Sequence, residues 1–277
     1  MKKIISLALL LVMVVSIFAL TACGNKTTKI GVQTGTTGQY FVDGDEEWDF
    51  EGLDGYESVG YSNGGLAVAD MKNGAVKYVV IDKAPAVQLA KTINGIKVID
   101  IELTEEEYAF GVDKAQPELL GEINKILEEK EDEIKAIIDK YAKGENITPV
   151  ASAKKDLERA DEQLVIATNA AFAPFEYTEG DKFAGIDIEI MKLVADTLGL
   201  ELVVEDMEFD AVVTSVGKHG VDVAAAGLTV NEKRKESVNF STSYYNAAQV
   251  LVVLDSEKAF DDCKTAAEVL AKLDELK

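Results

Sequence analysis

Three motifs could bind a small charged molecule, and each directly follows an apolar run typical of a buried strand. Thr36 and Thr37 stand in the glycine-rich turn GTTG, whose backbone N–H groups and hydroxyls can donate hydrogen bonds to an anion. Asp82 ends the apolar run VKYVVI and can pair with an ammonium group. In the motif GLTVNEKR, Thr229 can donate to a carboxylate, and Arg234 can bind the same carboxylate through two parallel hydrogen bonds.

A fourth motif, NAAFAPFE, follows the apolar run QLVIAT and offers Phe172 as a flat apolar wall. Together the four motifs match the zwitterionic head group of an amino acid. Each motif alone also has a simpler interpretation. The glycine-rich turn can be a turn only, Asp82 can cap the following helix, Phe172 can belong to the core, and Arg234 can be a surface residue at a helix start.

The elements that must position these motifs alternate between strands and helices from residue 28 onward. Short apolar runs predict eight strands, and 3.6-residue periodicity predicts three helices. Such alternation is typical of an α/β fold with largely parallel sheets. The strands are expected at 29–33, 76–81, 97–101, 108–112, 163–168, 201–205, 221–225 and 249–254, and the helices at 117–143, 186–198 and 265–276.

Composition excludes several function classes. The 277 residues carry 50 acidic and 28 basic side chains, so a net charge of −22 would repel a nucleic acid. With one His and two Cys, a structural zinc site or a disulfide scaffold is not expected. His219 stands in the turn motif GKHGVD and is expected to be exposed, and no nucleophile–base pair is visible.

The first residues predict a secretory signal. A positive MKK start, an apolar stretch over 4–20 and small residues before Cys23 are similar to a bacterial lipobox. Residues 1–22 are then a lipoprotein signal peptide, Cys23 carries the lipid anchor, and 23–28 form a tether. The alternative is an ordinary cleaved signal beside an incidental cysteine.

Five segments together resemble one known family: QLVIATNAAFAPFEY, FAGIDIEIMKLVADTLG, VDVAAAGLTVNEKRKESVNFS, KIGVQTGTTG and VKYVVID. They are similar to the polar amino-acid solute-binding proteins of ABC importers (bacterial extracellular solute-binding proteins, family 3). The resemblance implies the type II periplasmic-binding-protein fold, in which two α/β lobes enclose the ligand in a cleft.

The two blocks of the chain stand in exchanged order relative to that family, so the chain resembles a circular permutant. Residues 163–277 resemble the family's first block and 29–143 its second. The polar segment 144–162 would join the family's usual termini, which often lie close together on a domain surface. The expected arrangement is lobe 2 at 29–104, a hinge strand and lobe 1 helix at 105–143, a linker at 144–162, lobe 1 at 163–250, and a hinge crossing and helix at 251–277.

The resemblance implies five residues that bind the ligand's α-carboxylate. Arg234, helped by Thr229 and the backbone of Gly227, would bind it from lobe 1. Thr36 and Thr37 would contact it from lobe 2.

The resemblance implies five further residues around the ammonium and the side chain. Asp82 would bind the α-amino group, and Phe172 and Phe209 would enclose the ligand side chain. Gln33 stands where side-chain specificity is often set. Asn169 stands where many relatives carry Asp, so it brings no charge and weakens the case for a dicationic ligand.

These expectations describe a binding protein and not an enzyme. The chain would capture an extracellular L-amino acid of polar or broad specificity by lobe closure and deliver it to an ABC permease. It would act as a monomer on the extracytoplasmic face of the cell membrane, with no cofactor, metal or nucleic acid. The alternatives are an amino-acid sensor, an enzyme on the same fold such as a dehydratase, and a degenerate copy.

Overall fold

A computed structural model describes residues 27–277, which form two α/β lobes around two five-stranded sheets. The predicted signal peptide and Cys23 lie outside the described residues. No helix within 27–277 is long and apolar enough to span a bilayer. Strands and helices are numbered below in chain order.

Lobe 2 is built on a sheet of order β2-β1-β3-β15-β4. The first three strands are parallel, and β15 is antiparallel to both of its neighbours. Apolar side chains cover both faces, as is typical of strands with helices on either side. The strands are β1 (Thr28–Gln33), β2 (Tyr56–Tyr61), β3 (Tyr78–Asp82), β4 (Ile96–Ile99) and β15 (Gln249–Leu254), and the helices are α1 (Thr37–Asp43), α2 (Gly64–Lys72), α3 (Lys83–Thr92) and α9 (Ala266–Leu276).

Lobe 1 is built on a sheet of order β11-β7-β12-β6-β13, with a small three-stranded sheet beside it. The strands β11, β7 and β12 are parallel, and β6 is antiparallel to both of its neighbours, β12 and β13. The strands are β6 (Gly111–Asp113), β7 (Gln163–Thr168), β8 (Ala171–Phe172), β9 (Glu176–Glu179), β10 (Lys182–Ala184), β11 (Glu201–Asp206), β12 (Val223–Ala224) and β13 (Val238–Phe240). The helices are α4 (Pro117–Glu129), α5 (Glu131–Lys143), α6 (Ile186–Leu198), α7 (Phe209–Ser215) and α8 (Glu232–Lys235).

Two short antiparallel strands, β5 (Glu106–Tyr108) and β14 (Tyr245–Ala247), form the hinge between the lobes. This differs from the expected arrangement, in which lobe 1 extends to residue 250 and the hinge crossing follows within 251–277. The strand β15 lies inside the lobe 2 sheet, because its apolar side chains are fully buried between β3 and β4. Residues 249–277 therefore belong to lobe 2.

The expected single helix over 117–143 is two helices. The first begins with Pro117 at its first turn, and the break falls at Lys130, whose φ of −112° and ψ of 23° are not helical. The segment 144–162 runs along lobe 1. Val150 exchanges two backbone hydrogen bonds with Phe183, and the Ala153 N–H donates to the Leu202 carbonyl at 2.8 Å. Its end is a 3₁₀ helix (Leu157–Glu162).

Candidate ligand-binding site

A small cavity lies between the lobes, and side chains from both lobes line it. Nine of the ten residues expected to bind a ligand line this cavity, and the tenth, Asn169, is hydrogen-bonded to one of the nine. Their role in binding stays a prediction. The lining residues are Gln33, Thr36, Thr37, Asp82, Phe172, Phe209, Gly227, Thr229 and Arg234.

The C-terminal ends of parallel strands position these side chains. In lobe 2, β1 leads into the turn before α1, and β3 ends at Asp82. In lobe 1, β7 leads to Asn169, and β12 leads towards Gly227. Ligands of open α/β sheets bind beyond the carboxyl ends of the strands, and here two such edges face each other.

Arg234 is buried, with 8% of its surface exposed, so its interpretation as a surface residue is wrong. Its guanidinium donates to the Thr229 carbonyl at 2.8 Å and to the Gly35 carbonyl, in the other lobe, at 3.2 Å. Within residues 27–277 no carboxylate lies within 4.0 Å of it. Burial lowers the pKa of Arg234 to about 10, and the nearby Glu106 carboxylate opposes this change. The guanidinium therefore remains a cation at neutral pH.

Asp82, at the end of β3, is 5% exposed and supplies a carboxylate to the cavity lining. It occupies the N-cap position of α3, but its side chain makes no capping hydrogen bond. Its Oδ1 accepts instead from the Tyr108 hydroxyl and from Gln249 Nε2, the latter at 2.9 Å. Burial first, and the negative charge of Glu106 second, raise the pKa of Asp82 to about 7. A cation beside it would favour the ionised form.

A second acidic side chain, Glu106 in the hinge, reaches the same site. Its Oε2 accepts from the Thr229 hydroxyl at 2.7 Å. Its Oε1 accepts from Gln249 Nε2 at 3.0 Å and from the Thr104 hydroxyl at 2.6 Å. The Thr37 hydroxyl in turn lies 3.2 Å from the Thr229 hydroxyl, so one hydrogen-bonded chain joins lobe 2, lobe 1 and the hinge.

The sequence did not predict Glu106, Tyr108 or Trp48 as part of this region. Glu106 stands in the run TEEEY, and nothing in that run distinguishes it from Glu105 and Glu107, which are exposed. The available signal for Glu106 was the strand predicted at 108–112, because a strand that connects two lobes must pass beside the cleft between them.

Two neutral amides, Gln33 in the cavity lining and Asn169 beside it, form a hydrogen-bonded pair. Asn169 Nδ2 donates to the Met207 carbonyl at 2.7 Å, and its Oδ1 accepts from Gln33 Nε2 at 2.9 Å. This relay fixes the orientation of both amides and leaves Gln33 Oε1 buried with no hydrogen-bond donor among the described residues. Phe172 is 6% exposed and also packs into the core, so both of its interpretations are compatible with the structure.

Other singled-out residues lie away from the cavity. His219 is exposed in a turn with a φ of 51°. Cys263 is a partly buried free thiol. Within 27–277, no three His, Cys, Asp or Glu side chains come together in a way that could hold a metal ion.

Comparison with known proteins gives a match between residues 164–277 and the family model of the bacterial extracellular solute-binding proteins, family 3. Arginine-binding extracellular protein ArtP of Bacillus subtilis is 36% identical over 106 residues, which are 38% of this chain and 42% of ArtP. A probable histidine-binding protein of Neisseria gonorrhoeae is 28% identical over 107 residues, 38% of this chain and 40% of the relative. Cyclohexadienyl dehydratase of Pseudomonas aeruginosa is 30% identical over 97 residues, 35% of this chain and 36% of the relative.

Among solved structures, the arginine-bound domain 1 of TmArgBP is 25% identical, covers 44% of this chain and 99% of that chain, and has a TM-score of 0.29. The part of this chain that matches the curated relatives spans less than half of their length.

Proposed function

We propose that the protein captures an extracellular L-amino acid between its lobes and delivers it to an ABC permease. The match of residues 164–277 to the family model of bacterial extracellular solute-binding proteins supports this proposal. One observation carries the proposal. A buried cation from lobe 1, Arg234, and a buried anion from lobe 2, Asp82, line the same cavity. A zwitterion can pair with both charges at once, whereas an anion or a cation alone would leave one buried charge unpaired.

The ligand carboxylate would bind at the Arg234 end. Arg234 would form two parallel hydrogen bonds with it, and the hydroxyls of Thr36, Thr37 and Thr229 and the backbone of Gly227 would supply further donors. The Thr229 hydroxyl donates to the Glu106 carboxylate in this structure. On binding, the ligand carboxylate would take that hydrogen bond.

The amides at the other end of the cavity favour a ligand side chain that donates hydrogen bonds. The unpaired Gln33 Oε1 needs an N–H or O–H donor, and Asn169 adds no charge. Phe172 and Phe209 would cover the apolar part of the side chain. Polar or broad specificity is therefore expected. The relatives that bind arginine and histidine place those two amino acids in the panel to be tested.

Lobe closure would couple the two halves of the site. Three hydrogen bonds cross between the lobes within the described residues of the site: Gln33 to Asn169, Thr37 to Thr229, and Arg234 to Gly35. A ligand that touches both lobes would favour this closed arrangement over an open one. The closed form would dock on the permease, and the lipid on Cys23 would hold the protein at the extracytoplasmic face of the membrane.

The exchanged order of the two blocks is part of the proposal. The Thr28 N–H donates to the Gly55 carbonyl at 3.1 Å, and Lys277 Nζ lies 2.5 Å from the Asp54 carboxylate. Residues 28 and 277 therefore contact the same loop, and a short connection between them would restore the family's usual order. The match to the family model over the uninterrupted stretch 164–277, which corresponds to the second block of this chain, supports this arrangement.

A thermal-shift screen of residues 24–277 against the twenty L-amino acids and cystine tests the proposal. A ligand at about 100 times its dissociation constant adds roughly 2.7 kcal/mol, which raises Tm by about 5–11 °C. We expect a shift with one or a few amino acids, lost in Arg234→Ala and retained in Arg159→Ala, whose side chain is partly exposed in the linker. A cooperative melt with no shift for any of them would refute the proposal.

An enzyme on the same fold is the second candidate, because the cyclohexadienyl dehydratase shares a comparable stretch of sequence. Proton NMR of the protein with each amino acid that raises Tm separates the two functions. We expect the ligand spectrum to stay unchanged over a day, and the growth of product signals would favour the enzyme.

A further inference from the structure

The segment 44–53 of lobe 2 has a defined shape although it carries no strand and only a 3₁₀ turn (Glu46–Trp48). The Asp45 carboxylate accepts from the Glu47 N–H at 2.8 Å and caps the turn. Asp45 and Phe50 exchange backbone hydrogen bonds of 2.9 and 3.1 Å, and the Phe50 ring packs edge-on against Phe41 in the core. The segment therefore presents Trp48, at the end of the turn, in a fixed direction.

Trp48 lies against the carboxylate-binding cation of the other lobe. Its ring stacks on Tyr40 with centroids 4.5 Å apart, and the guanidinium carbon of Arg234 lies 5.0 Å from its centroid. The Phe209 ring lies 5.3 Å from the same carbon. The guanidinium thus has an indole from lobe 2 and a phenyl ring from lobe 1 within cation–π distance.

The faces of the indole, and not its N–H group, hold Trp48 in place. The indole N–H is buried and bonds no atom of residues 27–277. The neighbouring ion pair between Lys233 and Glu47 also joins the lobes, but both side chains are about half exposed, so water screens it. The ring contact with Arg234 is the buried component of this interface.

We propose that Trp48 is a positioning residue for ligand binding, which fixes the plane of the Arg234 guanidinium when the lobes close. The inference rests on the proposed function. A guanidinium can form two parallel hydrogen bonds only with a carboxylate in its own plane, and the rings of Trp48 and Phe209 beside it restrict how that plane can turn. Trp48 and Arg234 belong to different lobes, so the contact forms on closure and is lost on opening. Trp48 therefore slows ligand release and leaves the rate of capture unchanged.

The test uses residues 24–277 of the wild type and of three variants, each screened with the twenty L-amino acids. For each amino acid that shifts the wild-type Tm, isothermal titration gives the dissociation constant and stopped-flow mixing gives the two rates. For Trp48→Leu we expect affinity about 2- to 30-fold weaker, through faster dissociation. Trp48→Phe, which keeps a smaller aromatic ring and loses the unpaired N–H group, should recover most of the affinity. Glu47→Gln is the matched control in the same turn, with a change of less than about twofold.

The wild type supplies a second readout, because Trp48 is the single tryptophan of the chain. Its emission should change on addition of each amino acid that binds. Unchanged emission, or a Trp48→Leu variant with wild-type affinity and a lowered ligand-free Tm, would show a structural role only and overturn the inference. A wild type that binds none of the twenty amino acids would instead refute the proposed function.

Discussion

Arg234 and Asp82 bring opposite charges into one buried cavity from different lobes. Burial shifts the pKa of each group towards its neutral form, to about 10 for Arg234 and about 7 for Asp82. Both shifts mark sites where the charged form lacks a counter-charge, and an amino acid would supply one to each. In the proposed complex the ligand ammonium would pair with Asp82 and the ligand carboxylate with Arg234.

The pKa of Asp82 predicts a pH dependence of binding. The ligand ammonium binds the ionised carboxylate, so the pKa of Asp82 must be lower in the complex than the value of about 7 in the free site. Affinity should be constant above about pH 7 and should fall by up to tenfold per pH unit below it. Titration calorimetry between pH 5 and 8 measures this.

The control for the pH dependence is Asp82→Asn, which removes the titrating group. It should bind more weakly at pH 8 and show a flatter profile. A wild-type affinity that does not change between pH 5 and 8 would contradict the role of Asp82.

The sequence predicted the cavity lining well, because most of these residues stand directly after apolar runs. The C-terminal ends of parallel strands meet at one edge of a sheet, which brings the four motifs together there. Gln33 and Phe209 were expected only from the resemblance to the family. Glu106 and Trp48 could not be predicted in the same way. Each lies in an acidic stretch that is typical of exposed loops, and only the packing of the lobes brings them to Arg234 and Thr229.

Elements were predicted where their periodicity is local and unbroken. The strands at 163–168 and 249–254 and the helix at 186–198 have the predicted bounds. The predicted strand 108–112 is divided between β5 of the hinge and β6 of lobe 1, and the helix 117–143 is broken at Lys130. Periodicity continues across both breaks, so the sequence pattern carries no signal for them.

Two glycines next to or within helices should respond in opposite ways to alanine. Gly185, before α6, has a φ of 137°, and a Cβ there would overlap the carbonyl group of Phe175. Gly121, inside α4, has no atom within 4 Å of its Cβ position. Gly185→Ala should cost about 3 kcal/mol or more, and Gly121→Ala should add about 0.5–1 kcal/mol.

Urea unfolding of the two variants measures both effects. Each is a single added methyl group, so Gly121→Ala serves as the matched control for Gly185→Ala. Equal stability of the two variants would contradict the close approach of the chain before α6.

Across the whole molecule, each lobe takes strands from both blocks of the chain. The strand β15 joins the lobe 2 sheet and β6 the lobe 1 sheet, so neither block can complete its lobe alone. The segment 144–162 is bound along lobe 1, and residues 28 and 277 contact the same loop. The fold is thus compatible with either order of the blocks.

A rearranged chain tests the proposed permutation. In it, residues 163–277 come first, a short glycine–serine connection follows, and 28–143 come last, with 144–162 removed. We expect a folded protein that binds the same amino acid within about threefold of the original affinity, because the site residues keep their positions. Its Tm should be lower, since the hydrogen bonds of Val150 and Ala153 are lost. Failure of this chain to fold or to bind would contradict the proposed order.

The most direct test of ligand capture between Arg234 and Asp82 uses analogues of the amino acid that gives the largest thermal shift. Its methyl ester lacks the carboxylate, and its N-acetyl derivative lacks the ammonium group. Isothermal titration should show tight binding of the amino acid and a loss of at least about 100-fold for each analogue, since each leaves one buried charge unpaired. Binding of either analogue as tightly as the parent amino acid would show that the zwitterion does not bridge these two residues.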